Sequence, residues 1–381
     1  MSRTILGIER IDEFKHLFEN KRVGLITNPT GIDGNFKSSI DILREKTNLV
    51  GLFSPEHGVR ASIQAGEHLA TYIDEETGIT VYSLYGATRR PSKEILDTLD
   101  VMTIDIQDVG SRYYTFIYTM VYCMQECAKN GKKFVVFDRP NPVDCEKVEG
   151  NILDLKYRSF VGYYPIPQRH GLTIGELALL FNKEYEINCD LEVIPMLNYS
   201  RDMSFEDTKL PWVIPSPNFP TVNTAYAYNT TCVFEGTNVA EGRGTTTPFE
   251  IFGAPWMKSE TLAKQLNDLN LPGVYFRPQY FTPTFAKYAG ELCGGVFLHI
   301  TDRDAFHSIK ASWAILRVIR ENYKEYFKIS APYVEGRPCM FEFETGCDYI
   351  RDMTYTLQEE WDILDKDEAS FREVRKNYLI Y

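Results

Sequence analysis

Glu56, His57 and Arg60 bring a carboxyl, an imidazole and a guanidinium into the short segment Ser54-Pro55-Glu56-His57-Gly58-Val59-Arg60. A carboxyl that protonates a leaving oxygen must still hold its proton near neutral pH. Desolvation beneath apolar side chains raises a glutamate toward that range, so Glu56 is the candidate general acid. His57 adjoins it but points elsewhere on an extended backbone, which suits a hydrogen-bond donor to substrate. The segment also reads as an ordinary charged turn. A second acidic pair, Asp105 and Asp108, follows the apolar run Val101-Met102-Thr103-Ile104. Asp105 could orient a water or substrate hydroxyls there; equally, Asp105 or Ser111 could cap a helix starting near Arg112. Arg112, Arg139 and Arg243 are candidates for holding an anion, because guanidinium pairs bidentately with carboxylate. Each also reads as structural, and Glu241 and Arg243, separated by Gly242, could form an internal salt bridge. Asn28, His170, Asn218 and Asn223 could bond sugar hydroxyls or an acetamido group, or simply local backbone.

These residues need elements to place them. Leu49–Phe53, Arg22–Thr27, Val101–Ile104 and Phe134–Phe137 read as strands, and each ends in polar or turn residues: Ser54-Pro55-Glu56, Asn28-Pro29-Thr30-Gly31, Asp105-Ile106-Gln107-Asp108 and Asp138-Arg139-Pro140-Asn141. Helical stretches over 38–46, 92–99 and 113–130 alternate with them. Strand–helix alternation predicts an α/β fold with a Rossmann-like, doubly wound, mostly parallel sheet. In such a sheet ligands bind beyond the carboxyl ends of the strands. The rhythm breaks near Glu149-Gly150-Asn151, which predicts a Rossmann-like N-terminal domain over 1–150. A smaller C-terminal α/β domain would occupy 151–381, with the site in the cleft between them. Thr173-Ile174-Gly175-Glu176 is a capping box opening a helix to about residue 185. Leu191–Ile194 and Gly295–Ile300 read as strands, and 259–268, 304–323 and 367–379 as helices. Residues 211–255 show little helical pattern, and loops that long are usually functional.

Composition narrows the partners. The 381 residues carry a net charge of −12, and no basic stripe is present to neutralise phosphates, which argues against nucleic acid. The 24 Tyr, 23 Phe and 4 Trp offer ring faces of the kind carbohydrate sites use, although most must be core. The eight cysteines form no C-x-x-C pair and no zinc-spaced cluster, so no metal or other cofactor is expected. No apolar leader opens the sequence and no run approaches the ~20 apolar residues that span a bilayer, so a reduced, cytoplasmic protein without membrane contact is expected. Dinucleotide, phosphate-loop, zinc-helix and nucleophile-elbow motifs are absent.

Several longer strings carry a more specific signal. They are Gly24-Leu25-Ile26-Thr27-Asn28-Pro29-Thr30-Gly31, Ser54-Pro55-Glu56-His57-Gly58, Asp105 through Thr115, Asp138-Arg139-Pro140-Asn141-Pro142, Phe234-Glu235-Gly236-Thr237-Asn238 and Glu241 through Thr246. In these strings, almost end to end and in order, the chain resembles a family long carried as a domain of unknown function and now linked to exo-β-N-acetylmuramidases. The resemblance implies a Rossmann-like lobe, a smaller α/β lobe and an active site between them, with Glu56 catalytic. It further implies release of N-acetylmuramic acid from the non-reducing end of peptidoglycan fragments. The substrate would be a small carbohydrate, a muropeptide or a disaccharide containing N-acetylmuramic acid, in the service of cell-wall sugar recycling. A non-catalytic carbohydrate-binding protein, or an amidase or esterase acting on muropeptides, are the alternatives. Two departures stand out: many members look exported, and the usual Phe-Arg-Gly after the Glu-His-Gly motif is here Val59-Arg60-Ala61. For the second catalytic group Asp105 is the first choice, with Asp108 and Glu241 next. The 3-O-lactyl carboxylate that distinguishes N-acetylmuramic acid needs a local cation, for which Arg243 comes first, then Arg60 and Arg139.

Overall fold

The computed structural model of the chain describes residues 2–56, 58–60, 70–86 and 88–381. Its larger sheet contains β1 (Arg22–Thr27), β2 (Asn48–Ser54), β3 (Tyr72–Ile73), β4 (Thr80–Ser83), β5 (Val101–Asp105), β6 (Lys133–Phe137) and β7 (Asp190–Ile194). The order is β3-β4-β2-β1-β5-β6-β7, and only the β3–β4 pair is antiparallel. Without β3, the first parallel strand of the chain lies centrally, and later strands are added first on one side, then on the other. That is the doubly wound order of dinucleotide-binding folds. Every residue of β5 is buried, as expected of a parallel strand covered on both faces. The helix Phe116–Lys129 supplies one cover, burying Phe116, Ile117, Met120, Val121 and Met124.

The larger lobe does not stop at residue 150. The predicted capping box forms: Thr173 accepts from the Glu176 amide at 3.2 Å and Glu176 accepts from the Thr173 amide at 3.0 Å. It starts the helix Ile174–Glu184, which leads into β7 at the sheet edge. The break in rhythm near Glu149 is therefore a long loop within this lobe, not its end.

The smaller lobe holds β8 (Ile251–Ala254), β9 (Val274–Phe281) and β10 (Cys293–Ile300), antiparallel in the order β8-β10-β9. The helix Ser259–Asn267 packs on β9 and β10, and the helix Ser308–Asn322 packs against the helix Val222–Thr231. The helix Val222–Thr231 lies within the stretch where the sequence showed little helical pattern. All but one of its ten residues are buried, so it has no polar stripe to reveal it. The terminal helix starts earlier than expected, at Leu357, behind a Thr356–Glu359 capping box. The chain end returns to the large lobe, where the Tyr381 hydroxyl donates to Asp138 at 2.8 Å and accepts from the Met196 amide at 2.7 Å.

Candidate functional site

The topological switch point lies between β1 and β5, and an open α/β sheet places its ligand beyond those strand ends. Here the space is filled. Arg139 clasps Asp105 with Nε–Oδ1 at 2.6 Å and Nη2–Oδ2 at 2.8 Å, and the Ser39 hydroxyl donates to the same carboxylate. Asp105 is fully buried and Arg139 is 5% exposed. Thr27 at the end of β1 donates to the Asp105 carbonyl at 2.9 Å. Asn28 turns inward, accepting from the Thr30 amide and hydroxyl and donating to the Pro215 carbonyl at 3.3 Å. What remains is about 10 Å³, walled partly by Pro211, Trp212 and Val213, room for about one water. Asp105 and Arg139 thus form a structural ion pair, and Asp105 neither caps a helix nor reaches the large cleft.

That cleft, of about 550 Å³, lies to one side. The large lobe contributes Glu56, Tyr85, Arg89 and residues 113–116; the later chain contributes 159–161, Ser216, Asn218, Phe219, Tyr228, Glu235, Arg243 and the rim residues Tyr333, Met340 and Phe343. Glu56 follows β2. Its Oε2 accepts from the Thr115 hydroxyl at 2.8 Å. Thr115 is the N-cap of the helix Phe116–Lys129, yet its side chain makes no capping bond. An N-cap bond is ordinarily worth about 1 kcal/mol, and here the hydroxyl fixes Glu56 instead. At Tyr85, burial first, then the charge of Glu56, pushes the hydroxyl up to about 12.

Glu235 faces the same cleft from the turn Cys232–Gly236. Arg243 Nη2 lies 2.7 Å from its Oε1, and Arg243 Nη1 lies 3.9 Å from Glu241. Burial raises the Glu235 carboxyl; Arg243 opposes that, and Glu241, followed by Glu56, reinforces it. Glu241 itself is 3% exposed and accepts from Lys287 at 2.9 Å, while Lys287 also donates to the carbonyls of Phe234 at 2.6 Å and Val239 at 3.0 Å. Glu344 is 1% exposed and meets the Cys232 thiol at 3.8 Å through Oε1, while its Oε2 has no partner. Burial, then the charge of Glu235, raises Glu344 well above the usual carboxylate range. The glycines beside Arg243 serve packing: both have positive φ, and a Cβ on Gly242 would meet the Ile251 carbonyl at 2.6 Å, one on Gly244 the Phe285 carbonyl at 2.5 Å.

The remaining candidates scatter. His57 lies outside the described residues. Arg60 pairs with Asp74 at 3.0 Å and Asn223 accepts from Arg303 at 2.7 Å. Neither lines the cleft. Arg112 is fully buried and donates to the carbonyls of Asn151, Ile166 and Glu344 at 2.8–2.9 Å, tying the two lobes together beneath the cleft. Asp108 and His170 are buried side by side, 3.5 Å apart, with Asp108 accepting from the Gly110 amide at 2.8 Å. Of the expected site residues, the structure gathers Glu56, Asn218 and Arg243 on the cleft, with Glu241 one layer behind. The sequence reading missed Tyr85, Arg89 and Thr115 as site residues. It also left Glu235 without a role, although Glu235 lies inside one of the matched strings.

Two carboxyl groups from different parts of the chain, one with a neutral hydroxyl partner and one with a guanidinium partner, can flank a bond and divide proton donation from charge stabilisation. Comparison with known proteins gives that arrangement a context. Family models for the N-terminal and C-terminal domains of exo-β-N-acetylmuramidase NamZ match residues 23–223 and 226–381. The peptidoglycan β-N-acetylmuramidase NamZ of Bacillus subtilis (strain 168) is 48% identical, over 98% of this chain and 91% of its own length. Two crystal structures of DUF1343 family proteins from Bacteroides fragilis cover all of this chain and 99% of their own: one has a TM-score of 0.91 at 38% identity, the other 0.80 at 34%.

Proposed function

The chain belongs to the exo-β-N-acetylmuramidase NamZ family, and on that premise we propose that it is a glycosidase releasing N-acetylmuramic acid from the non-reducing end of peptidoglycan-derived fragments, with Glu56 and Glu235 as its working carboxyls. The observation that carries this reading is the meeting of those two glutamates on one cleft that also presents aromatic rings. Glu56 has a hydroxyl partner in Thr115 and no cation paired with it among the described residues. Protonating it therefore displaces no counter-ion, and it is assigned the proton transfer to the leaving oxygen. Glu235 keeps its guanidinium partner Arg243, which suits a carboxylate that stabilises positive charge developing on the sugar ring or directs the attacking group. Glu235 takes the place first given to Asp105, because the Asp105 carboxylate is already enclosed by Arg139 and Ser39.

An enzyme of this kind yields one free sugar per turnover, and we read its role as cell-wall sugar recycling. All eight cysteines are free and buried, which suits a reducing, cytoplasmic compartment.

Hydrolysis of an aryl β-N-acetylmuramide, followed by release of the aglycone, tests the activity. Retention of the sugar without turnover would favour a binding protein, and attack confined to the lactyl or peptide side an amidase or esterase. Glu56→Gln is expected to keep fold and ligand affinity while lowering kcat on the natural disaccharide by about 10²–10⁴, the usual worth of positioned acid–base catalysis. Aryl substrates with good leaving groups should lose less with Glu56→Gln, because they need less protonation, but should lose fully with Glu235→Gln. Near-normal kcat for Glu56→Gln on the disaccharide would rule out the assignment.

A further inference from the structure

We propose that Arg89 reads the carboxylate of the substrate's 3-O-lactyl group, an assignment that rests on the muramidase reading above. The lactyl group adds a negative charge to the sugar, and recognising it needs a cation that is not already neutralised. Among the described residues the cleft is lined by two arginines, Arg243 and Arg89. Arg243 is engaged by Glu235 at 2.7 Å with Glu241 behind it. If it turned to a ligand, those partly buried carboxylates would be left facing each other. Arg60 and Arg139 are held by Asp74 and Asp105.

Arg89 differs from all of these. It is exposed and pairs with no carboxylate among the described residues, whereas its neighbour Arg90 pairs with Glu126 at 2.9 Å and Gln125 at 2.7 Å. Its guanidinium carbon sits 3.9 Å from the ring centre of Phe160 and 5.7 Å from that of Tyr85. Phe160 is itself backed by Tyr122, stacked at 5.8 Å. A ring contact holds the guanidinium in place without taking up its N–H donors. Among the described residues those donors meet no carboxylate, which leaves them for bidentate capture of a ligand's carboxylate. Tyr85, whose ring lies near Arg89, lines the cleft together with Glu56, so the anion reader and the proton donor face the same bound sugar.

The test compares an aryl β-N-acetylmuramide with its neutral lactyl amide. A charged hydrogen bond of this kind corresponds to a preference for the acid of about 10- to 100-fold in kcat/KM. Arg89→Met is expected to bring that ratio close to one. Arg89→Lys, which keeps the charge and loses the fork, should retain part of it. Melting curves show whether the variants are folded. A ratio in Arg89→Met equal to the parent's, an equal fall on both substrates, or a parent with no preference would overturn the assignment. A parent that cleaves neither substrate would sink the muramidase reading itself, a result distinct from failure of Arg89 alone.

Discussion

Asp105→Asn separates a structural ion pair from a catalytic carboxylate. In the folded chain Asp105 is fully buried and Arg139 is 5% exposed. They share contacts of 2.6 and 2.8 Å, and Arg139 donates a further bond to the Ile32 carbonyl at 2.6 Å. Asparagine keeps one acceptor, but its amide group faces guanidinium N–H donors, and the buried cation loses its counter-charge. Breaking one partner of a buried pair costs about 3–5 kcal/mol. At about 2 °C per kcal/mol for a chain of this size, the melting temperature should fall by about 6–10 °C. The assay is differential scanning calorimetry beside kcat/KM measured at 25 °C on the folded fraction, where turnover should stay within a few-fold of the parent. Combining Asp105→Asn with Arg139→Met should recover much of the loss, since no bare charge then remains. An unchanged melting temperature together with a hundredfold loss of turnover would refute this account and return Asp105 to the chemistry.

Tyr381→Phe removes a donor to buried Asp138 and an acceptor for the Met196 amide. At about 1–3 kcal/mol for groups left unsatisfied, it should lower the melting temperature by a few degrees without altering KM; an unchanged melt would show that the chain end adds nothing. Glu344 has a raised folded-state carboxyl against an ordinary value of 4.5. The folded chain therefore holds the extra proton on Glu344, so the contribution of this group to stability is full below pH 4.5 and declines as pH rises through the folded value. Glu344→Gln should flatten that decline in melts taken from pH 4 to 9, and a slope equal to the parent's would count against a protonated Glu344.

The sheet was readable because its signals are local. β1, β2, β5 and β6 are short apolar runs closed by turn residues, and the Thr173–Glu176 capping box marked its helix start to the residue. The helix Val222–Thr231 was hidden because tertiary burial on all sides, not an amphipathic stripe, supports its Thr, Asn and Tyr residues. The site was legible only in part for a similar reason. Glu56 stands at a strand end, where pattern draws attention. Glu235 sits in a 3-10 turn, and its ion-pair partner Arg243 is separated from it by eight positions. Arg89 lacks any neighbouring motif; what distinguishes it is the ring of Phe160, seventy-one residues away. Pairings of that range depend on the fold and leave no spacing to count.

The filled switch point explains why the cleft lies elsewhere, and gives the plug a positioning role. Arg139 binds Asp105 and the Ile32 carbonyl, so the loops after β1, β5 and β6 are joined at one charge pair. Asn28, held by Thr30, reaches the Pro215 carbonyl, and the next residues, Ser216, Asn218 and Phe219, line the cleft. Phe219 packs edge-on against Tyr114 at 5.3 Å, one residue before the threonine that holds Glu56. The strand ends that bind a ligand in other doubly wound folds here anchor a crossing segment of chain. That segment lines the same cleft as Glu56 and Glu235, the cleft to which the proposed muramidase activity assigns the sugar. A buried aspartate and arginine at the sheet centre thus fix the backbone from which the cleft is built, and on the proposed reading they act on substrate only through that backbone.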